Sequence, residues 1–231
     1  MKIKINRDQN LVEYKLPFKS TTLLKALYHI KDYIDPTLTF DSNCRSGICG
    51  ACAMRVNGKE VLACSHKIDS GDTIEPLKYH KVQKDLKVDK KEVINTLSIA
   101  TTWLHNQKEN ATVTPKDIKN SEKQSDCILC HSCYSACPVV EVNPNFIGPF
   151  ALTRAYRYIL DPREEDKKSI IDNIQNNGIW DCTLCGECTA VCPQGINSKM
   201  DITMLRSLST QYGYSDPNFT TMDFGFGGGF S

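Results

Sequence analysis

The sequence predicts an α+β chain in two parts: a strand-rich domain over residues 1–91 and an all-α domain over 92–231. Three observations predict it. Period-two alternation and one amphipathic stripe occupy the first part. Helical patterns with little strand signal occupy the second. All twelve cysteines fall into three tight groups, 44/49/52/64 in the first part and 127/130/133/137 and 182/185/188/192 in the second.

Residues 2–6 (KIKIN) and 11–16 (LVEYKL) alternate as the strands of a hairpin. "STTLLKALYHIKDYI", 20–34, opens on hydroxyl caps and puts Leu23, Leu24, Leu27, Ile30 and Ile34 on one helical face. A cysteine loop follows at 43–53. Strands are expected at 53–57 and 60–63 around the turn Asn57-Gly58, with extended segments near 73–76 and 82–88. The basic run 78–91 is offset by Asp85 and Asp89 and reads as a solvated strand and linker. A helix is expected over 91–105, then a polar surface connection over 106–125 containing Pro115. Residues 148–162, 164–178 and 198–210 read as helices. The tail, 216–231, is rich in glycine. It reads as a frayed terminus or as a segment docking Phe219, Phe224, Phe226 and Phe230 on a partner.

A formal net charge of +1 gives no basic surface for nucleic acid. No apolar run approaches the roughly 20 residues that cross a bilayer. "MKIKINRDQN" reads as a strand rather than a signal core, so the chain is expected to be soluble and unexported. Disulfides would be spread through a small secreted domain, whereas close C-x2-C spacing suits thiolates converging on metal in a reducing compartment.

Cys44, Cys49, Cys52 and Cys64 stand as C-x4-C-x2-C-x11-C, the spacing of a plant-type [2Fe–2S] loop. Ser46, Gly47, Gly50 and Ala51 let the loop backbone approach the cluster and aim N–H groups at sulfur. Arg45 reads either as an offset to cluster charge or as a surface cation. Both later groups read C-x2-C-x2-C-x3-C-P, the bacterial ferredoxin run in which the fourth cysteine serves the other cluster. That pattern assigns Cys127, Cys130, Cys133 and Cys192 to a proximal [4Fe–4S] cluster, and Cys137, Cys182, Cys185 and Cys188 to a distal one. The parts are thus expected to be a plant-type ferredoxin (β-grasp) domain and a bacterial-ferredoxin-like helical domain. Zinc held by four thiolates explains the interlocked runs and their Pro138 and Pro193 poorly. His131 and His66, beside ligands, read as solvent or outer imidazoles.

The order of these groups, with "CRSGICGAC", "CILCHSCYSACP", "NPNFIGPFALTRAYRYILDPRE" and "NGIWDCTLCGECTAVCP", resembles the iron–sulfur subunit of the succinate dehydrogenase/fumarate reductase family over residues 2–212. The resemblance implies a non-catalytic electron-transfer subunit of a succinate:quinone or quinol:fumarate oxidoreductase. It would lie between an FAD-containing catalytic subunit and a membrane-side subunit. Electrons would pass from FAD through [2Fe–2S], [4Fe–4S] and the distal cluster to quinone, or back. FAD would sit on the partner only, and this chain shows no dinucleotide fingerprint. The implied location is the cytoplasmic face of the inner membrane, peripheral through partners.

Two departures from the family pattern bear on the distal end. Many members lack a cysteine at the position of Cys185 and hold [3Fe–4S]. Here the fourth ligand is present, which favours [4Fe–4S]. The tryptophans that often follow the crossing cysteine in quinone-binding members are replaced by Val139, Val140 and Glu141, and a frequent histidine by Thr183. Both resemble the variant group that uses a cysteine-rich partner in place of a haem-bearing anchor. The competing readings are a related flavoprotein complex using another substrate or a thiol donor, and a zinc-stabilised interaction module.

Overall fold

A computed structural model describes residues 1–217. The docking reading of Phe219, Phe224, Phe226 and Phe230 lies outside the described residues. Strand β1 (Lys2–Arg7) pairs antiparallel with β2 (Asn10–Lys15), because Ile3 and Ile5 alternate inward. A two-residue strand, β3 (Thr21–Thr22), precedes helix α1 (Leu23–Tyr33), and the Thr22 hydroxyl accepts from the Lys25 N–H as N-cap. Strands β4 (Ala53–Val56) and β5 (Lys59–Leu62) form the expected hairpin, with Asn57 and Gly58 both at positive φ. β6 (Lys67–Ile68) pairs with β3, and β7 (Thr73–Glu75) enters the main sheet. That sheet runs β2-β1-β7-β4-β5, with β1 and β7 parallel and the other pairs antiparallel. Leu23, Leu24, Leu27 and Ile30 of α1 share a core with Ile3, Ile5, Met54 and Ile74 of the sheet. Ile34 does not join them: it is the C-cap and 46 % exposed.

The segment near 82–88 is not one extended run but a hairpin, β8 (Lys81–Lys84) and β9 (Lys87–Asp89). Asp85 in its turn is not a solvated charge. It is 1 % exposed and accepts from Arg7 Nε at 2.9 Å and from the Thr39 N–H at 2.8 Å. Arg7 also pairs with Asp35. These bonds tie the first strand to the hairpin that leads out of the domain.

The second core gathers Val139, Phe146, Phe150, Ile170, Ile179 and Leu205. The single helix expected over 91–105 is two short ones, α2 (Lys91–Ile94) and α3 (Thr96–Ile99). Thr101 takes φ +49, and both the N–H and the hydroxyl of Thr102 return to the Leu97 carbonyl, which stops the helix. The segment 106–125 is not all loop. Its end is α4 (Pro115–Ser125), started by a capping box between Thr114 and Asp117 with Pro115 at the first helical position. α5 (Ser132–Ser135) and α6 (Pro138–Val142) follow the second cysteine group, and α7 (Pro149–Leu160) is the expected helix. α8 (Lys167–Asn173) ends before the predicted 178, because Asn176 is extended and Asn177 takes φ +50. α9 (Glu187–Ala190) lies inside the third cysteine group, and α10 (Ser198–Gln211) packs on α7.

Removing one member of a buried charge pair strands the other in a poorly solvated place. Arg7→Met should therefore destabilise the chain by about 3 kcal/mol, seen as a lower denaturation midpoint. An unchanged midpoint would show that Asp85 is satisfied by its other donors alone.

Candidate iron–sulfur centres

The first cysteine group wraps a loop after α1. Cys44 is exposed, Cys49 and Cys64 are half-buried, and Cys52 is buried. Backbone N–H groups point at the sulfurs. Ser46 and Cys49 donate to Cys44 Sγ at 3.5 and 3.3 Å, Cys44 to Cys49 Sγ at 3.4 Å, and Gly47 to Cys64 Sγ at 3.2 Å. The donation from Ser46 leads the effects that bring the Cys44 thiol down to about 6. Burial pushes Cys52 up to about 11. Arg45 lays its guanidinium over the Tyr28 ring, 4.9 Å from the centroid, so its charge is stacked on an aromatic face.

The second and third groups repeat in backbone as well as in spacing. Leu129 and Leu184 take φ +50 and +55, and His131 and Gly186 take φ +68 and +91. Each pair is followed by a one-turn helix, α5 or α9. The Leu184 N–H donates to Cys182 Sγ and the Ile196 N–H to Cys192 Sγ, both at 3.4 Å. Gly186 serves this left-handed backbone rather than a tight approach, since a Cβ there would meet only Lys199 Cδ at 3.7 Å.

Cys127, Cys130, Cys133 and Cys192 line one largely apolar cavity with His131 and Phe150. Cys137 lies within the electrostatic reach of Cys182 and Cys185, and all three act on Cys188. Burial raises Cys127, Cys133, Cys137 and Cys182, and takes Cys188 up to about 12. Such thiols release their protons only to a metal that replaces them. Cys185 is exposed, as is Thr183, which follows Cys182.

The donor set suits iron–sulfur clusters. Four thiolates on one zinc ion would stand about 3.8 Å apart, given a Zn–S length near 2.3 Å. Among the described residues no three His, Cys, Asp or Glu side chains converge on a single ion in that way. A cubane is larger, and it accepts hydrogen bonds from N–H groups through its sulfurs.

The three groups are contiguous. A Cβ added to Gly50 would lie 2.8 Å from Cys130 Cβ and 2.9 Å from Cys130 Cα, so the first loop rests on the second group. Gln194 Nε2 donates to the Gly47 carbonyl at 3.2 Å across the same junction. Ser135 pins α5 to the first domain: it donates to buried Glu60 at 2.7 Å and accepts from the Lys78 N–H at 2.8 Å. α5 packs on α9, and Cys133 feels the charge of Cys188.

His131 is not in solvent. It is 1 % exposed and stacks on Phe150 at 4.8 Å and 16°. Burial leads the effects that hold it neutral, down to about 3. His80 Nδ1 donates to the Lys78 carbonyl at 2.6 Å, so His80 Nε2 accepts from His131 Nδ1 at 2.9 Å. His131 Nε2 is buried with no partner. His66 is half-buried where the chain turns back from Leu62 to Leu23. After the crossing cysteine, Val139 and Val140 face the core, and Val142 is 82 % exposed. Glu141 accepts from the Tyr79 hydroxyl at 3.1 Å in an open cleft of about 670 Å³.

Gly50→Ala should cost more than Gly47→Ala. Both positions have positive φ, at about 1–2 kcal/mol for a Cβ. Only the Gly50 methyl meets backbone, adding about 1–3 kcal/mol of overpacking; nothing lies within 4 Å of Gly47. Thermal unfolding of the two variants side by side checks it, and equal losses would refute the close junction.

Residues 2–95 match the family model of a 2Fe-2S iron-sulfur cluster binding domain, and residues 123–196 that of a 4Fe-4S dicluster domain. The fumarate reductase iron-sulfur subunit of Haemophilus influenzae is 36% identical over 215 residues, covering 84% of each chain. The 8-methylmenaquinol:fumarate reductase iron-sulfur subunit of Wolinella succinogenes is 36% identical over 225 residues, covering 91% of this chain and 70% of that one. A subunit of the fumarate reductase (CoM/CoB) of Methanothermobacter marburgensis is 32% identical over 90% of this chain and 43% of its own length. In fold, the chain superposes on one from the Mycobacterium smegmatis Sdh1 complex in the apo form with a TM-score of 0.80, at 21% identity, over 93% of this chain and 97% of that one.

Proposed function

The chain belongs to the family of fumarate reductase/succinate dehydrogenase iron–sulfur subunits, and from that premise we propose that it carries electrons between the FAD of a flavoprotein subunit and a membrane-side partner or quinone. The observation that carries this reading is the unbroken series of cysteine groups, with Gly50 against Cys130 and α5 packed on α9. Residues 1–91 form the plant-type ferredoxin (β-grasp) domain and 92–231 the helical bacterial-ferredoxin-like domain. Cys44, Cys49, Cys52 and Cys64 hold [2Fe–2S]. Cys127, Cys130, Cys133 and Cys192 hold the proximal [4Fe–4S], a set supported by their shared cavity. Cys137, Cys182, Cys185 and Cys188 hold the distal [4Fe–4S].

When bound, the clusters supply one-electron carriers whose potentials follow ligation, burial and hydrogen bonds to sulfur. The chain's own part is to hold them close, exclude water and direct N–H groups at the sulfurs. Substrate chemistry belongs to the flavoprotein. Among the described residues no helix is long and apolar enough to cross a membrane, and attachment to the cytoplasmic face runs through partners. The cleft of Tyr79 and Glu141, with the exposed Val142 next in sequence, offers the membrane-side partner a surface. A second reading, another electron donor on the same architecture, draws on the Methanothermobacter relative named for CoM/CoB.

Copurification tests the assignment: a brown complex with an FAD-bearing, succinate- or fumarate-active subunit is expected. A fumarate-active complex that takes its electrons from a thiol donor and not from quinol would move the chain to the second reading. Two substitutions test the ligand sets. Cys192→Ser should remove the cluster of 127/130/133 before that of 182/185/188, and spectroscopic loss of only the latter would reject the crossed pattern. Cys185→Ser should bring in an oxidised three-iron EPR signal that the anaerobically purified wild type lacks. A strong three-iron signal in the wild type, unchanged by iron reconstitution, would make the distal cluster [3Fe–4S].

A further inference from the structure

Lys90 follows β9, where the two domains meet. It is half-buried. The lysines with a carboxylate at ion-pair distance among the described residues are Lys2, Lys87, Lys123 and Lys168, and Lys90 is not one of them. Its ammonium donates to the Cys130 carbonyl at 3.4 Å. Burial opposes its charge, and Cys130, Asp41, Cys52 and Cys49 favour it. Asp41 already has Lys87 at 3.7 Å. The groups that favour this cation thus include Cys130 first, then Asp41, then Cys52 and Cys49, and the cysteines among them lie on either side of the Gly50–Cys130 contact. The bond to Cys130 and, through it, the packing of Gly50 are the contacts that single out the first two groups.

A half-buried ammonium with no carboxylate at ion-pair distance is costly, and an apolar side chain would fill the same gap at less cost. An anionic cluster on each side of the junction supplies the missing negative charge. On the reading given under Proposed function, we propose that Lys90 is the counter-charge shared by the first two clusters, raising the reduction potential of both and leaving the distal one unmoved. The physical basis is Coulomb's law. Each cluster becomes more negative on reduction, and a fixed cation beside it favours the reduced form. Because one charge serves both clusters, the step between them stays nearly level while both rise relative to the third.

The test is an EPR-monitored redox titration of the full chain, purified anaerobically with its partner subunits. In Lys90→Met the midpoint potentials of the 44/49/52/64 and 127/130/133/192 clusters should shift negative, with that of 137/182/185/188 unchanged. Lys90→Arg should return the first two towards wild type. The distal cluster is an internal control, since a merely structural loss would disturb assembly rather than shift two potentials of three. Unmoved potentials of the first two, or an equal shift of all three, would overturn the proposal. If Lys90→Met fails to assemble, Lys90→Gln is titrated against the same two outcomes. Absence of cluster signals from the wild type would instead remove the functional reading on which the proposal rests.

Discussion

Gly50 rests against Cys130 with no room for a methyl group between the two backbones. That contact holds a loop of the sheet domain against a loop of the helical domain. The surrounding bonds serve the same junction. Ser135 reaches Glu60 and Lys78, Gln194 reaches Gly47, and Lys90 reaches Cys130. Cys130 itself packs in the core of the first domain, although it belongs by sequence to the second. The two cores therefore share a wall at the place where the first and second cysteine groups meet.

Thiol chemistry and backbone geometry act together at each centre. Burial keeps most of the cysteines of the second and third groups protonated until metal replaces the proton. Left-handed residues at matching positions of the two runs curl the chain around the ligands. One copy of the repeat uses Gly186, which takes that backbone freely. The other uses His131, which carries a Cβ into the same strained region and offsets the strain with a stack on Phe150 and a bond to His80. The strain is local to the second cysteine run.

Much of this is legible in the sequence because it is local. Cysteine spacing, the Asn57-Gly58 turn, the stripe of α1 and the Pro149 start of α7 each depend on neighbours a few residues away. What escapes a sequence reading depends on distance or on competing signals. Asp85 reads as a solvated charge because its partner, Arg7, is far upstream. α4 has a clear start in Thr114-Pro115-Lys116-Asp117, but buries no residue and so lacks an apolar stripe. It is held instead by polar contacts, Gln124 to Asp201 and Ser125 to Arg157. His131 reads as an outer imidazole when taken alone. The one signal that marks it is the alignment of the two cysteine runs, which puts glycine at its counterpart.

Magnetic coupling between neighbouring clusters tests the serial arrangement most directly. Stepwise reduction of the anaerobic complex, followed by EPR, should give three paramagnetic centres, with the signal of the first broadening and relaxing faster as the proximal one is reduced. Three sharp, independent signals, or a chain that carries zinc and no iron signal, would contradict the account.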